Sequence, residues 1–260
     1  MDKLGEAFMK EYLSQHTYGN FTEFYYNFDT LFKMFAALDI KTKEDLLTAP
    51  DRFKQFVLNN ANLITVHEDI RGAMVLSSLN KTVTSLKSKI RSAFRISNTE
   101  FAEIVKQLTS PNSKILDVGS GDIPASSIIL AETLGQATSM DTAINLPETT
   151  LERLGVEPKK QLFDKSTSVK GYDMVVGKYP CSAIVPIVTN CAKDGVPYII
   201  KLCNHDIPIP NTPKYIVDWQ QGWQSVLPDI DAYIKFYDEY AFNVDLPEEK
   251  VKQIIDEHEK

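Results

Sequence analysis

The spacing of hydrophobic positions changes once along the chain. Leu4, Phe8 and Tyr12 recur every four residues, and Phe21, Phe24, Tyr25, Phe28, Leu31, Phe32, Phe35 and Leu38 follow three-and-four spacing. That rhythm predicts a helix with a broad apolar face that another element must cover. Thr42 precedes Lys43, Glu44 and Asp45, so it caps an acidic first turn. Pro50 opens the next helix, through Phe53, Phe56 and Val57. Leu76, Leu79, Val83, Leu86, Ile90 and Phe94 mark a longer helix, and Phe101, Ile104, Val105 and Leu108 a last one before Pro111.

From Lys114 onward, short apolar runs alternate with helical stretches, the pattern of parallel strands joined by crossover helices. The runs predict strands at 115–118, ending near 140–141, at 161–163, 174–176 and 198–202, and at 233–236 and 241–244, the last two as an antiparallel pair. A helix is predicted over 124–134, with Ala125, Ile128 and Ile129 facing inward. The expected architecture is α/β, a Rossmann-like doubly wound, mostly parallel seven-stranded sheet with an N-terminal helical domain. The boundary falls near 110, giving domains of 1–110 and 111–260.

Composition narrows this picture. The chain has 260 residues, 43% of them hydrophobic and 24% charged, which suits a packed core rather than general disorder. A formal charge of −7 disfavours a surface that binds nucleic acid everywhere but leaves room for a local basic face. Cys181, Cys191 and Cys203 form neither a disulfide framework nor a CxxC pattern, and predict reduced thiols in a cytoplasmic protein. No signal peptide or membrane-spanning run is read, and His16, His67 and His258 show no metal-ligand spacing.

The sharpest chemical signal is Lys114-Ile115-Leu116-Asp117-Val118-Gly119-Ser120-Gly121-Asp122-Ile123-Pro124. A buried strand runs into two glycines and then a helix. Glycine allows the tight turn and a close ligand, and the N–H groups at the helix start face polar ligand atoms. Pro124 stands where a dinucleotide fingerprint needs its third glycine, and Asp122 would repel a pyrophosphate. A cofactor without phosphates and with a positive centre fits this loop better, and S-adenosylmethionine has those properties. Asp141, at the expected end of the second strand, is placed to accept both ribose hydroxyls. Asp164 follows the expected third strand and is placed near an adenine amino group.

The run from Asp117 to Pro124 resembles motif I of class I S-adenosylmethionine-dependent methyltransferases. The resemblance covers roughly residues 111 to 245. It implies that Asp117, Gly119, Ser120 and Gly121 surround the methionine part of S-adenosylmethionine, that Asp141 holds its ribose, and that Asp164 contacts the adenine. Tyr172-Asp173-Met174-Val175-Val176-Gly177-Lys178-Tyr179-Pro180-Cys181 occupies the motif IV position. With the stretch 192–203 it is similar to a subgroup carrying a His-Pro-Cys-type element after strand four and Pro-Cys after strand five. Tyr179 stands in place of that histidine and Leu202 in place of the second proline.

An acceptor belongs beyond the carboxyl ends of the strands. Tyr179 and Lys178 after the fourth strand, and His205 after the fifth, are the candidate catalytic residues. Tyr179 would orient the acceptor, Lys178 would meet an acidic group, and His205 would take a proton, with Asp206 beside it. Cys181 is expected to be a semi-buried neutral thiol rather than a nucleophile. Trp219 and Trp223 share one helix face that packs on the sheet. No acidic residue occurs from Ile70 through Thr99, where Lys87, Lys89, Arg91 and Arg95 form a basic face suited to RNA or another anionic partner. The leading expectation is a methyltransferase with an RNA acceptor. The alternatives are a small-molecule methyltransferase, a non-catalytic S-adenosylmethionine-binding scaffold or sensor, and a nicotinamide-cofactor oxidoreductase. No metal is expected.

Overall fold

The computed structural model describes residues 21–59, 70–202 and 234–258. The readings at Leu4, Phe8, Tyr12, His16 and His67, and at Cys203, His205, Asp206, Trp219 and Trp223, lie outside these residues. The described chain divides into two compact units. One comprises Met1–Ala93 with Leu146–Leu154, and the other Phe94–Asn145 with Gly155–Lys260.

The first unit is helical. It contains α1 (Phe21–Asp39), α2 (Lys43–Asn59) and α3 (Ile70–Ala93). Phe28, Leu31, Phe32 and Phe35 on α1 are buried, and the ring of Phe53 on α2 lies edge-on to Phe32 at 5.5 Å. Leu38 and Leu76 depart from the buried stripe, at 52% and 43% exposed. Thr42 caps α2 reciprocally with Asp45. The Asp45 N–H donates to Thr42 Oγ1 at 3.1 Å, and the Thr42 N–H donates back to Asp45 Oδ2 at 3.0 Å. That cap sets the helix start, so Pro50 lies inside α2 rather than opening a helix of its own. Later in the chain, Thr150 and Arg153 donate from a short helix to the carbonyls of Ala36 and Ala37 at the end of α1.

The second unit carries the sheet. The further elements, in chain order, are α4 (Ile96–Leu108), β1 (Ile115–Val118), α5 (Ala125–Leu134), β2 (Ala137–Met140), α6 (Glu148–Arg153, which belongs to the first unit), β3 (Val156–Lys159), β4 (Met174–Lys178), α7 (Ile184–Asp194), β5 (Tyr198–Lys201), β6 (Lys235–Tyr237), β7 (Tyr240–Asn243) and α8 (Glu248–His258). The sheet order is β3-β2-β1-β4-β5-β7-β6. The first five strands are parallel, while β7 runs antiparallel to both β5 and β6. This is the expected Rossmann-like doubly wound, mostly parallel seven-stranded sheet.

Period-two alternation separates the faces of the sheet. Leu116, Val118, Met140, Val175, Tyr198 and Ile200 join Ile184, Ile187 and Val188 of α7 in one core layer. On the other face, α4 packs against α5 and α8, and Phe101 of α4 stacks on Tyr240 of β7 at 6.4 Å. Eight of the ten α5 residues are buried, including Ser126 and Ser127.

The third strand is 156–159 rather than 161–163. Its proline disguises it in sequence, yet β3 is an edge strand. Gly155 and Lys159 present their carbonyls to residues of the β2 segment. Alternation therefore turns the position of Pro158, which has no N–H, toward the free edge. Phe163 is buried instead as an anchor of the following loop. Among the described residues, no helix is long and apolar enough to cross a membrane.

Candidate functional site

The winding of the sheet reverses between β1 and β4, neighbours from which the strand order runs outward both ways. Ligands of such sheets lie beyond the carboxyl ends of the strands at this switch point. The loop leaving β1 begins with Gly119 at φ 74° and continues through Gly121 at φ 81°, in the left-handed region that side chains resist. The Gly119 N–H donates to the Met140 carbonyl at 3.0 Å, which ties the corner to the end of β2. Ser120 Oγ lies 2.7 Å from Ser139 Oγ on β2.

Asp141, the first residue after β2, turns toward this corner. Its Oδ2 accepts the Gly121 N–H at 2.8 Å, and its Oδ1 accepts the Ala143 N–H at 2.7 Å. Each carboxylate oxygen keeps capacity for a further donor. Asp122 faces its own turn, with Oδ1 accepting the Ile123 N–H at 3.0 Å.

Asp117 is 1% exposed on β1. Its Oδ2 accepts hydroxyl hydrogen bonds from Ser126 at 2.5 Å and Ser127 at 2.6 Å, both from the start of α5. Its Oδ1 is buried with no hydrogen-bond partner. Burial pushes the carboxyl up to about 6, the two serine hydroxyls pull it down, and the charge of Asp141 adds to the rise.

The loop leaving β4 folds back onto the corner. Tyr179 and Cys181 both have positive φ, 56° and 45°, and buried Pro180 between them packs on Gly119 and Gly177. The Tyr179 N–H donates to the Lys201 carbonyl at 2.8 Å. Lys178 is turned into the structure: its ammonium donates to Ser97 Oγ at 2.8 Å and to Asn98 Oδ1 on the first turn of α4, and lies 5.3 Å from the ring centre of Tyr179. Cys181 is exposed rather than semi-buried, because the left-handed turn at 181 swings it outward.

The Asp164 carboxylate makes its hydrogen bonds within its own turn. Its Oδ1 accepts the hydroxyl and N–H of Ser166 at 2.6 and 2.8 Å, which hold the carboxyl below its usual range. It also lines a cavity of about 410 Å³ near the ends of β2 and β3, with Met140, Lys159, Gln161, Leu162 and Tyr172 among the other walls. Met140 immediately precedes Asp141, so the cavity opens one residue along the chain from the corner carboxylate.

The structure thus gathers Asp117, Gly119, Ser120, Gly121 and Asp141 at one strand end. It gives Asp164 a separate wall and points Lys178 at α4. The sequence reading missed Ser126 and Ser127. Two adjacent hydroxyls opening an otherwise apolar helix directly after the glycine loop are the signal that marks them. On the basic face, Lys89, Arg91 and Arg95 are exposed, while Lys87 pairs with Asp51 at 2.6 Å.

No protein-family profile matches the chain, and no curated protein matches it. Solved structures that align with it include an S-adenosylmethionine-dependent methyltransferase from Aquifex aeolicus, at 17% identity over 60% of this chain and 95% of that one, with a TM-score of 0.40. A TehB-like S-adenosylmethionine-dependent methyltransferase from Corynebacterium glutamicum aligns at 10% identity over 62% of this chain and 94% of that one, TM-score 0.40. The tRNA (uracil-54, C5)-methyltransferase of Pyrococcus abyssi, in complex with S-adenosyl-L-homocysteine, aligns at 23% identity over 40% of this chain, TM-score 0.34. The chain spans 28% of that enzyme's length. Likenesses this low in identity and score assign no activity to the chain.

Proposed function

We propose that the chain is a methyltransferase that binds S-adenosylmethionine at the Gly119–Gly121 corner. The observation that carries this reading is the Asp141 carboxylate, held against the corner by the Gly121 and Ala143 N–H groups with capacity left for two sugar hydroxyls. The charges support it further. Asp117, Asp122 and Asp141 ring the turn, a setting that favours a cationic ligand and repels a pyrophosphate. The sheet order also differs from the 3-2-1-4-5-6 order of dinucleotide-binding folds, since β7 lies between β5 and β6. Buried Asp117 Oδ1, with no hydrogen-bond partner, is a further acceptor on the strand that leads into the turn.

When bound, the cofactor supplies a methyl carbon activated by a positively charged sulfur. The protein supplies orientation. Asp141 grips the sugar, the glycine turn lets the ligand approach the backbone, and Asp164 closes the far wall of the neighbouring cavity. Tyr179, half-buried beside the corner, orients the acceptor, with Lys178 behind its ring. His205 is the proton acceptor in this reading.

We read the acceptor as a small molecule. Lys87 of the basic face is engaged by Asp51 rather than left for a polyanion. The second reading, an RNA acceptor, is favoured by the exposure of Lys89, Arg91 and Arg95. The test is calorimetric titration of the purified protein with S-adenosylmethionine and with NAD, followed by transfer of labelled methyl groups into fractionated metabolite and RNA pools. Binding of NAD in place of S-adenosylmethionine would overturn the reading.

A further inference from the structure

Asp117 is unusual among the carboxylates of the corner. It is sealed from solvent, one oxygen holds two short hydrogen bonds from hydroxyls, and the other has none. Buried carboxylates are costly unless donors compensate them, and an incompletely satisfied one calls for an explanation. Both hydroxyls come from adjacent residues of one helix turn, Ser126 and Ser127, themselves 7% and 0% exposed. Neither serine is exposed enough to serve solvent, and both hydroxyls are spent on the same carboxylate oxygen.

We propose that Ser126 and Ser127 are positioning residues that hold Asp117 as an anion beneath the cofactor turn, where its charge attracts the cationic end of the ligand. The inference rests on the S-adenosylmethionine reading and deepens it. In a water-excluded setting a charge acts strongly over a few ångströms, so the carboxylate need not touch the ligand. The surrounding charges are consistent with this. The charge of Asp141, at the end of β2, disfavours the ionisation of Asp117. Lys178 lies two residues beyond Val176, the register partner of Asp117 on β4, and is directed to Ser97 and Asn98. Glu132 lies on the exposed side of α5, and Glu103 and Lys106 of α4 pair with each other at 3.2 Å. The serine hydroxyls, with a smaller share from the Ser127 backbone, are therefore the groups that favour the anion from α5. A cationic ligand arriving at the turn adds to their effect.

The test is calorimetric measurement of S-adenosylmethionine affinity from pH 5.5 to 8 for the wild type, Ser126→Ala, Ser127→Ala and the double variant, each also built on Asp117→Asn. The wild type should bind more weakly as the pH falls and Asp117 takes up a proton. Loss of both hydroxyls leaves Asp117 harder to ionise, so this decline should begin at higher pH, with roughly tenfold weaker binding at pH 7. On Asp117→Asn the same serine changes should leave affinity nearly unaltered and the pH profile flat. The single variants report the same trend if the double variant fails to fold. An unshifted pH profile in the serine variants, or equal losses with and without Asp117, would overturn the inference while leaving the cofactor reading intact. A wild type that binds no S-adenosylmethionine at any pH would overturn both.

Discussion

Pro180 lies so close to Gly119 that a Cβ on the glycine would sit 2.8 Å from the proline Cα. The β4 loop thereby closes over the β1 side of the switch point, and two left-handed non-glycine residues, Tyr179 and Cys181, bracket the contact. Gly121, by contrast, faces open space, and a Cβ there would meet nothing within 4 Å. The open side of the corner is the side where Asp141 waits.

The two glycines should respond differently to alanine. At Gly121 the only penalty is the left-handed backbone, about 1–2 kcal/mol. At Gly119 the collision with Pro180 adds to it, for a total of about 2–5 kcal/mol. Urea midpoints of Gly119→Ala and Gly121→Ala will show this order. A Gly121→Ala protein that loses more stability than Gly119→Ala contradicts this packing.

Asp141→Ala removes the carboxylate that accepts the Gly121 N–H. S-adenosylmethionine affinity should fall by about 1–3 kcal/mol, roughly 5- to 150-fold, with little change in the urea midpoint. Unchanged affinity by calorimetry rejects the ribose role of this residue.

Asp117 makes a prediction about stability against pH. Its carboxyl is raised to about 6 when folded, against roughly 3.9 unfolded. In that window the native state binds more protons than the unfolded chain, so this residue's contribution to stability falls as pH rises from about 4 to about 6 and stays low above it. The cost at pH 8 is on the order of 2–3 kcal/mol. Asp117→Asn removes the titration, so the unliganded variant should gain on the wild type as pH rises from 4.5 to 8. Parallel urea midpoints across that range would show that burial does not perturb Asp117.

For the acceptor, Lys89→Gln, Arg91→Gln and Arg95→Gln together should leave RNA retention on filters unchanged. A decrease of about 2 in the slope of log affinity against log salt would support the RNA reading instead, since each single-strand phosphate contact contributes about 0.7.

Much of the fold was legible because periodicity changes sharply at Lys114. Buried central strands such as Met174–Lys178 open on unbroken apolar runs, and the final hairpin appears as two short ones. The third strand escaped because an edge strand tolerates Pro158, and the buried Phe163 nearby imitated a strand residue. Pro50 misled in the opposite sense: the cap at Thr42 was legible, but a proline at a helix start and one inside a helix look alike, and the helix that begins there runs on through Pro50. At the site, the glycines and Asp141 could be placed from spacing alone. The direction of Lys178, the wedge of Pro180 and the serine pair under Asp117 depend on contacts across 9 to 81 positions, which linear spacing does not reveal.

The outward-facing proline of β3 also governs what the molecule can join. A neighbouring chain seeking to extend the sheet at that margin would meet a missing donor where its own carbonyl needs one. Replacing Pro158 by valine restores that donor and leaves a β-branched residue on an unguarded border, a change that favours stacking of copies over solitary molecules.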